Sequence, residues 1–261
     1  MSINIKVNNS WKEATAGYCN VNGVWRKVNK ICQNINGEWK CVDIGNSGED
    51  PSTAPNGVYV YANNGKLYSP DSWDTSNNAN AAGVAIITDN CRFAVSKSLP
   101  TVNRTAWSEA LYDTDVADLT NYSNSSEAQT DYAGQSNTNI IRTQASGENS
   151  SNNAAHYCYE QTLNGQNGYL PAAGELYTLW DNKTEVNNAL TTIGATTIDT
   201  ALNNIYNDYH YLWSSTESSV RYVWFLDWES RSSPLRDDIG KFNPIAHSRY
   251  YAFPVFPITI S

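Results

Sequence analysis

His156, His210 and His247 are the three histidines of this 261-residue chain. None belongs to an H-E-x-x-H run or to an acid–histidine–cysteine grouping at ligand spacing, so no zinc site is expected. Asp113-x-Asp115-x-x-Asp118 offers carboxylate oxygens of the kind that suit calcium. It lacks the glycine and distal glutamate of an EF-hand loop, and solvated acids are the plainer reading. There is no G-x-S-x-G elbow, phosphate loop or dinucleotide fingerprint. A glycosidase carboxylate pair would meet only in space, and nothing in the residue order marks one. Catalytic residues, metal and cofactor are therefore all expected to be absent.

Five cysteines occur, Cys19, Cys32, Cys41, Cys91 and Cys158, an odd number without a C-x-x-C clamp. Buried or free thiols are the expectation; a disulfide among Cys19, Cys32 and Cys41 stays open.

The stretch VRYVWFLDWESRSS, Val220 to Ser233, asks a different question. Successive side chains on a strand face opposite ways. Val220, Tyr222, Trp224, Leu226 and Trp228 would share one apolar face, while Arg221, Phe225 and Asp227 fall on the other, followed by Glu229 and Arg231. The alternation by itself does not say why an aromatic ring should stand among charges on an unburied face.

The totals narrow the partners. Net charge is -9 and the pI is near 4.8, which argues against a surface built to neutralise phosphates, so nucleic acid is not expected. The length allows one large domain or two smaller ones. The start, MSINIKVNNSW, has neither a basic n-region nor an apolar h-region, so no secretory signal is expected. Nor does any run of about 18 apolar residues suggest membrane insertion.

The elements that would position these residues fall into three parts. Val7-Asn8-Asn9-Ser10-Trp11-Lys12, Val21-Asn22-Gly23-Val24-Trp25-Arg26 and Ile35-Asn36-Gly37-Glu38-Trp39-Lys40 are one motif repeated every 14 residues. Asn-Gly between apolar residues is a strong hairpin signal, so residues 1–42 are expected to form three hairpins. Units this short cannot bury an apolar face alone, which points to assembly. Residues 43–56, rich in Gly, Ser, Pro and acids, read as a linker. Residues 57–261 form the remaining domain. A hairpin is expected around Asn63-Asn64-Gly65, and strands at 82–88 and 91–95 around an Asp89-Asn90 turn. Helices are expected at 105–112, 152–162, 172–180 and 184–193, the last with Gly194 as C-cap. Residues 113–150 read as long loops, and short strands return after Tyr209. The expected class is α+β, with the two ends of the domain meeting in one sheet.

Taken in order, "NGKLYSPDSWD", "AGVAIITDNCRFAVS", "GYLPAAGELYTLW" and "YLWSSTE", then a Trp-rich strand and an apolar last strand, resemble a known family. Residues 57–261 resemble the C-type lectin fold of the formylglycine-generating-enzyme-like variety. More narrowly, they resemble the retroelement-diversified variable proteins of gut Bacteroidales and their phages. Residues 1–42 resemble, more loosely, hairpins of phage tail-associated proteins. Enzyme activity does not carry over, because no cysteine follows Cys158. The Glu-Pro-Asn, Gln-Pro-Asp and Trp-Asn-Asp sugar signatures are also missing.

The resemblance implies a variable region at about 218–250, rewritten chiefly in Asn codons, on a fixed scaffold. Trp224, Leu226 and Trp228 match the fixed face. The implied ligand surface is Ser218, Ser219, Arg221, Tyr222, Phe225, Asp227, Arg231, Arg236, Asp237, Asp238, Phe242, Asn243, His247, Arg249 and Tyr250. Rewritten AAC codons exclude Glu, Gln, Lys, Met and Trp. From Ser218 onward there is no Gln or Met, one Glu (Glu229) and one Lys (Lys241). The ending YYAFPVFPITIS departs from the family's pattern.

The function implied is that of a receptor-binding or adhesion protein of a phage tail, located in the virion or otherwise extracellular after lysis. It would meet a host cell-surface receptor, protein or glycan, and join other virion proteins through 1–42, with a homotrimer as the expected state. A non-diversified structural tail component is the alternative. A carbohydrate-active enzyme ranks third.

Overall fold

The structure is a computed structural model describing residues 3–7, 10–14, 17–21, 24–28, 30–35, 38–43, 48–98, 103–111, 113–203, 210–230, 233–237, 241 and 250–258. It divides into two compact units, Met1–Glu49 and Asp50–Ser261.

The first unit holds three separate antiparallel pairs. They are β1 (Ile3–Val7) with β2 (Ser10–Ala14), β3 (Gly17–Val21) with β4 (Val24–Val28), and β5 (Lys30–Ile35) with β6 (Glu38–Asp43). The register repeats with the sequence motif. Trp11 opposes Lys6, Trp25 opposes Asn20 and Trp39 opposes Asn34, each one step in from the pair that closes its turn.

The expected linker is folded from Asp50 onward. The Asp50 carbonyl accepts the Thr53 and Ala54 N–H groups at 3.1 and 3.0 Å, Lys66 Nζ reaches its carboxylate at 3.0 Å, and Ala54 is buried.

Two five-stranded sheets organise the second unit. In the first, β7 (Gly57–Ala62), β8 (Leu67–Tyr68), β9 (Ala81–Ile87) and β10 (Arg92–Ser96) are joined by the last strand, Phe256–Pro257, in the order last strand-β10-β9-β7-β8. Both ends of the unit therefore share one sheet, as the pattern predicts. The second sheet opens with β11 (Asn103–Arg104). Helices α1 (Ser125–Ala128), α2 (Gly134–Gln144) and α3 (Ala154–Glu160) come next. After them lie the short β12 (Thr162–Leu163) and β13 (Gln166–Asn167), then α4 (Ala173–Asp181), α5 (Lys183–Thr192) and α6 (Ile198–Asn203). β14 (Tyr211–Glu217), β15 (Val223–Asp227), β16 (Leu235–Arg236) and β17 (Tyr250–Ala252) complete the sheet in the order β11-β17-β14-β15-β16, and Phe256–Pro257 is β18. β14 runs parallel to β17 and antiparallel to β15. The class is α+β.

The expected helices at 152–162, 172–180 and 184–193 are present as α3, α4 and α5. α5 ends at Thr192 with Ile193 as its cap, and Gly194 follows with a φ of +70°, the left-handed conformation that glycine adopts without penalty. Asn153 caps α3 by accepting the His156 N–H at 3.0 Å.

Two expectations fail. Residues 105–111 are not helical. The Glu148 carboxylate takes the N–H groups of Glu109 and Ala110 and the Ser108 hydroxyl, while Trp107 is buried with its indole donating to the Ser214 carbonyl at 2.7 Å. Residues 113–150 are not loop throughout, since they contain α1 and α2. α2 escapes a hydrophobic pattern because its core face is Gly134, Asn137, Thr138 and Ile141. The polar members are satisfied: the Thr138 hydroxyl donates to the Gly134 carbonyl and accepts the Leu170 N–H, and Asn137 donates to Asp131.

The core lies on both faces of β15. Trp224, Leu226 and Trp228 belong to a large cluster with α4, α5 and the first sheet. Val223 and Phe225 belong to a second, with Trp107, Ile141, Trp213 and Tyr250.

Candidate ligand-display surface

β14 and β15 are joined by the turn Ser218–Tyr222. The Tyr222 carbonyl accepts the N–H groups of Ser218 and Ser219 at 3.0 and 3.1 Å, and the Tyr222 N–H returns to the Ser219 carbonyl at 3.2 Å. The turn lifts Val220 and Tyr222 into solvent at 42% and 44% exposure. They are the exposed large hydrophobics among the described residues. Arg221 is also exposed, its Nε 2.6 Å from Asp113 Oδ1. The Ser218 hydroxyl donates to Asp237 at 2.6 Å, drawing the segment after β16 against the turn.

This turn is held by buried chemistry beneath it. The Ser215 N–H donates to the Pro171 carbonyl, and the Ala173 N–H donates to the Thr216 hydroxyl, both at 2.8 Å. That hydroxyl in turn donates to Asp131 at 2.7 Å. The segments "LPAAGE" and "WSSTE", each unremarkable alone, thus close on one another. Glu175 lies deeper, accepting the Ala172 N–H at 2.8 Å and the Tyr169 hydroxyl at 2.9 Å. Burial pushes its carboxyl up to about 8.

A second anchor comes from inside the expected variable loop. Lys241 is fully buried, donates to the Thr114 carbonyl at 2.6 Å, pairs with the Glu217 carboxylate and lies 5.2 Å from the Trp107 ring centre. Its N–H donates to the Arg221 carbonyl at 2.9 Å. Burial pushes the Glu217 carboxyl up and the Lys241 ammonium down, against their mutual attraction. In sequence Lys241 stands out only as the lone lysine after Ser218.

The expected ligand residues separate into four groups, the last being Phe225 and Tyr250. Ser218, Ser219, Arg221, Tyr222 and Asp237 gather at the turn. Asp227 and Arg236 sit further along, 3.9 Å apart on neighbouring strands, Arg236 exposed and Asp227 half-buried. Arg231, Asp238, Phe242, Asn243, His247 and Arg249 lie outside the described residues.

Phe225 and Tyr250 require correction. At 1% and 3% exposure both are core. Tyr250 stacks on Trp213 with centroids 4.4 Å apart, and Phe225 stands edge-on to both rings. The alternation fails because β15 is an interior strand covered on both faces, so both residue sets are buried. Trp224 and Trp228 are buried as expected, their indoles donating to the Tyr122 carbonyl at 3.0 Å and Asp199 at 2.6 Å. Val220 and Tyr222, assigned to the apolar face, belong to the turn instead.

Asp113 is engaged by Arg221, and Asp115 accepts from Asn121 at 2.8 Å. Among the described residues no group of three or more His, Cys, Asp or Glu is placed to hold a metal ion. Cys91 and Cys158 are buried free thiols, pushed up by burial. No described helix is long and apolar enough to cross a membrane.

No family model and no curated protein matches the chain. Among solved structures it is similar to a fimbrial protein from Bacteroides ovatus ATCC 8483, with a TM-score of 0.46 and 13% identity. The match covers 89% of this chain and 58% of that one, so the chain spans under two-thirds of its length.

Proposed function

We propose that residues 50–261 are a C-type lectin-like display domain whose ligand is engaged at the Ser218–Tyr222 turn. The protein would be a receptor-binding or adhesion protein of a phage tail. It acts at a host cell surface, without catalytic centre or cofactor, and residues 1–42 join it to other virion proteins as a homotrimer. One observation carries this reading. The turn offers Val220, Arg221 and Tyr222 to solvent while the strands on either side are buried and hydrogen-bonded. Exposed aromatic and arginine side chains on a rigid support make good anchors, because little ordering entropy is lost on binding.

A second feature supports a surface rewritten on a fixed frame. Between 218 and 261 the residue types that a rewritten Asn codon cannot supply are Trp224, Trp228, Glu229 and Lys241. Three of these are buried, and Glu229 lies 3.1 Å from buried His210.

The test is attachment of labelled protein to a panel of gut Bacteroidales cells, with Val220→Ala, Arg221→Ala and Tyr222→Ala beside the parent. One or two of these changes should weaken attachment by roughly 2 kcal/mol or more. If all three variants fold and attach like the parent, the ligand surface lies elsewhere and this reading falls.

A further inference from the structure

Among the described residues of the first unit, one register pair consists of two cysteines. In the β5–β6 pair Cys32 stands directly opposite Cys41. Equivalent positions in the other two pairs hold Asn4 opposite Glu13 and Tyr18 opposite Lys27. Cys19 faces Arg26 instead, so it has no cysteine across the ladder.

The phase of the ladder decides whether such a pair can be bridged. Ile35 and Glu38 close the turn and are themselves a register pair, with two residues between them. They must exchange both of their N–H···O bonds. The alternative phase would require residues 36 and 37 to bond each other across a single peptide link, which geometry forbids. Hydrogen-bonded and non-hydrogen-bonded pairs then alternate along the strands. Cys32↔Cys41 is three steps from Ile35↔Glu38, an odd offset, so it is a non-hydrogen-bonded pair. Directly opposed positions of that kind have Cα atoms roughly 4.5 Å apart, inside the window of about 4.4–6.8 Å that a disulfide spans. Hydrogen-bonded pairs lie near 5.5 Å, with side chains further apart.

We infer that Cys32 and Cys41 form a cross-strand disulfide that fastens the third antiparallel pair once the chain meets an oxidising milieu. The two thiols lose two protons and two electrons as the S–S bond forms. The electron acceptor is a low-molecular-weight disulfide such as oxidised glutathione, which is cleaved to two thiols through a mixed-disulfide intermediate. Cys91 and Cys158 stay out of the exchange because both are buried with raised thiol pKa values, and Cys19 because no cysteine opposes it.

Full-length protein incubated with oxidised glutathione, then denatured, alkylated and cut with trypsin, provides the test. Trypsin places Cys19, Cys32 and Cys41 in separate peptides, 13–26, 31–40 and 41–66, with Cys91 and Cys158 in 67–92 and 143–183. The expected product is 31–40 joined to 41–66, released by reductant, with Cys19, Cys91 and Cys158 alkylated. Intact mass should fall by about 2 Da relative to reduced protein. In Cys32→Ser the joined species should vanish and Cys41 should be recovered as a thiol or its glutathione adduct. Recovery of 31–40 and 41–66 as separate peptides from the parent overturns the inference. So does a link through 13–26, or a species of doubled mass that reductant resolves.

Discussion

The rings of Phe225 and Tyr250 meet nearly edge to face, their centroids 5.1 Å apart and their planes at 80°. Two residues expected to contact a ligand contact each other instead, inside a core that Trp213 completes. Phe225→Ala should therefore destabilise by roughly 3–5 kcal/mol, as truncation of a buried aromatic does. Trp224→Ala on the opposite face of the strand should cost a similar amount. Urea titrations of both variants check this, and a loss under about 1 kcal/mol for Phe225→Ala would contradict its place in the core.

The turn behaves differently. Tyr222→Ala and Val220→Ala remove exposed surface and should change folding stability by no more than about 0.5 kcal/mol. Thermal melts of the two variants beside Phe225→Ala separate a displayed ring from a packed one within one short segment.

Lys241 and Glu217 are each other's charge partner at zero exposure. Lys241→Ala should cost about 3–5 kcal/mol, because it strands a buried carboxylate. The double change Lys241→Met, Glu217→Leu should recover much of that loss, since no unpaired charge remains. Double-mutant analysis by urea denaturation reads the coupling, and additive losses would show that the pair does not hold the loop to the scaffold.

Glu175 makes stability depend on pH. Its folded carboxyl holds a proton up to about pH 8, whereas in the unfolded chain it releases it near the ordinary value of about 4.3. Between these values the native state binds more protons, so this group's contribution is greatest at low pH and declines as pH rises through the window. The slope for one such group approaches about 1.4 kcal/mol per pH unit. Glu175→Gln, neutral throughout, should flatten that component between pH 5 and 8. Parallel pH profiles for parent and variant would refute the assignment.

Gly134 leaves no room for a methyl group. A Cβ there would lie 2.1 Å from Glu175 Oε2 and 2.7 Å from the Ala172 nitrogen. Gly134→Ala should cost roughly 1–3 kcal/mol or more by overpacking, despite alanine's better helix propensity. A thermal melt unchanged from the parent would show that α2 can move away from α4.

Local rules made much of this chain legible before any fold was known. The Asn-Gly repeats at 14-residue spacing announce the paired strands, Gly194 announces the end of α5, and the absence of metal and nucleophile motifs directs attention to binding. Such features depend on neighbours in sequence. The α+β class and the burial of Trp224 and Trp228 were readable for the same reason, since a strand's period and a tryptophan's size are local properties.

Only the tertiary structure decided which faces were covered. Alternation along Val220–Trp228 predicts one buried face if one layer packs on the strand, but β15 lies inside its sheet and two clusters enclose it. α2 was invisible because its buried face is polar and satisfied by groups from Asp131 and Leu170, partners that no periodicity encodes. Lys241 reads as a surface cation until Glu217 and the Thr114 carbonyl, distant in sequence, are brought to it. In each case the deciding energy is desolvation repaid by a distant partner, and that partner exists only once the chain has folded.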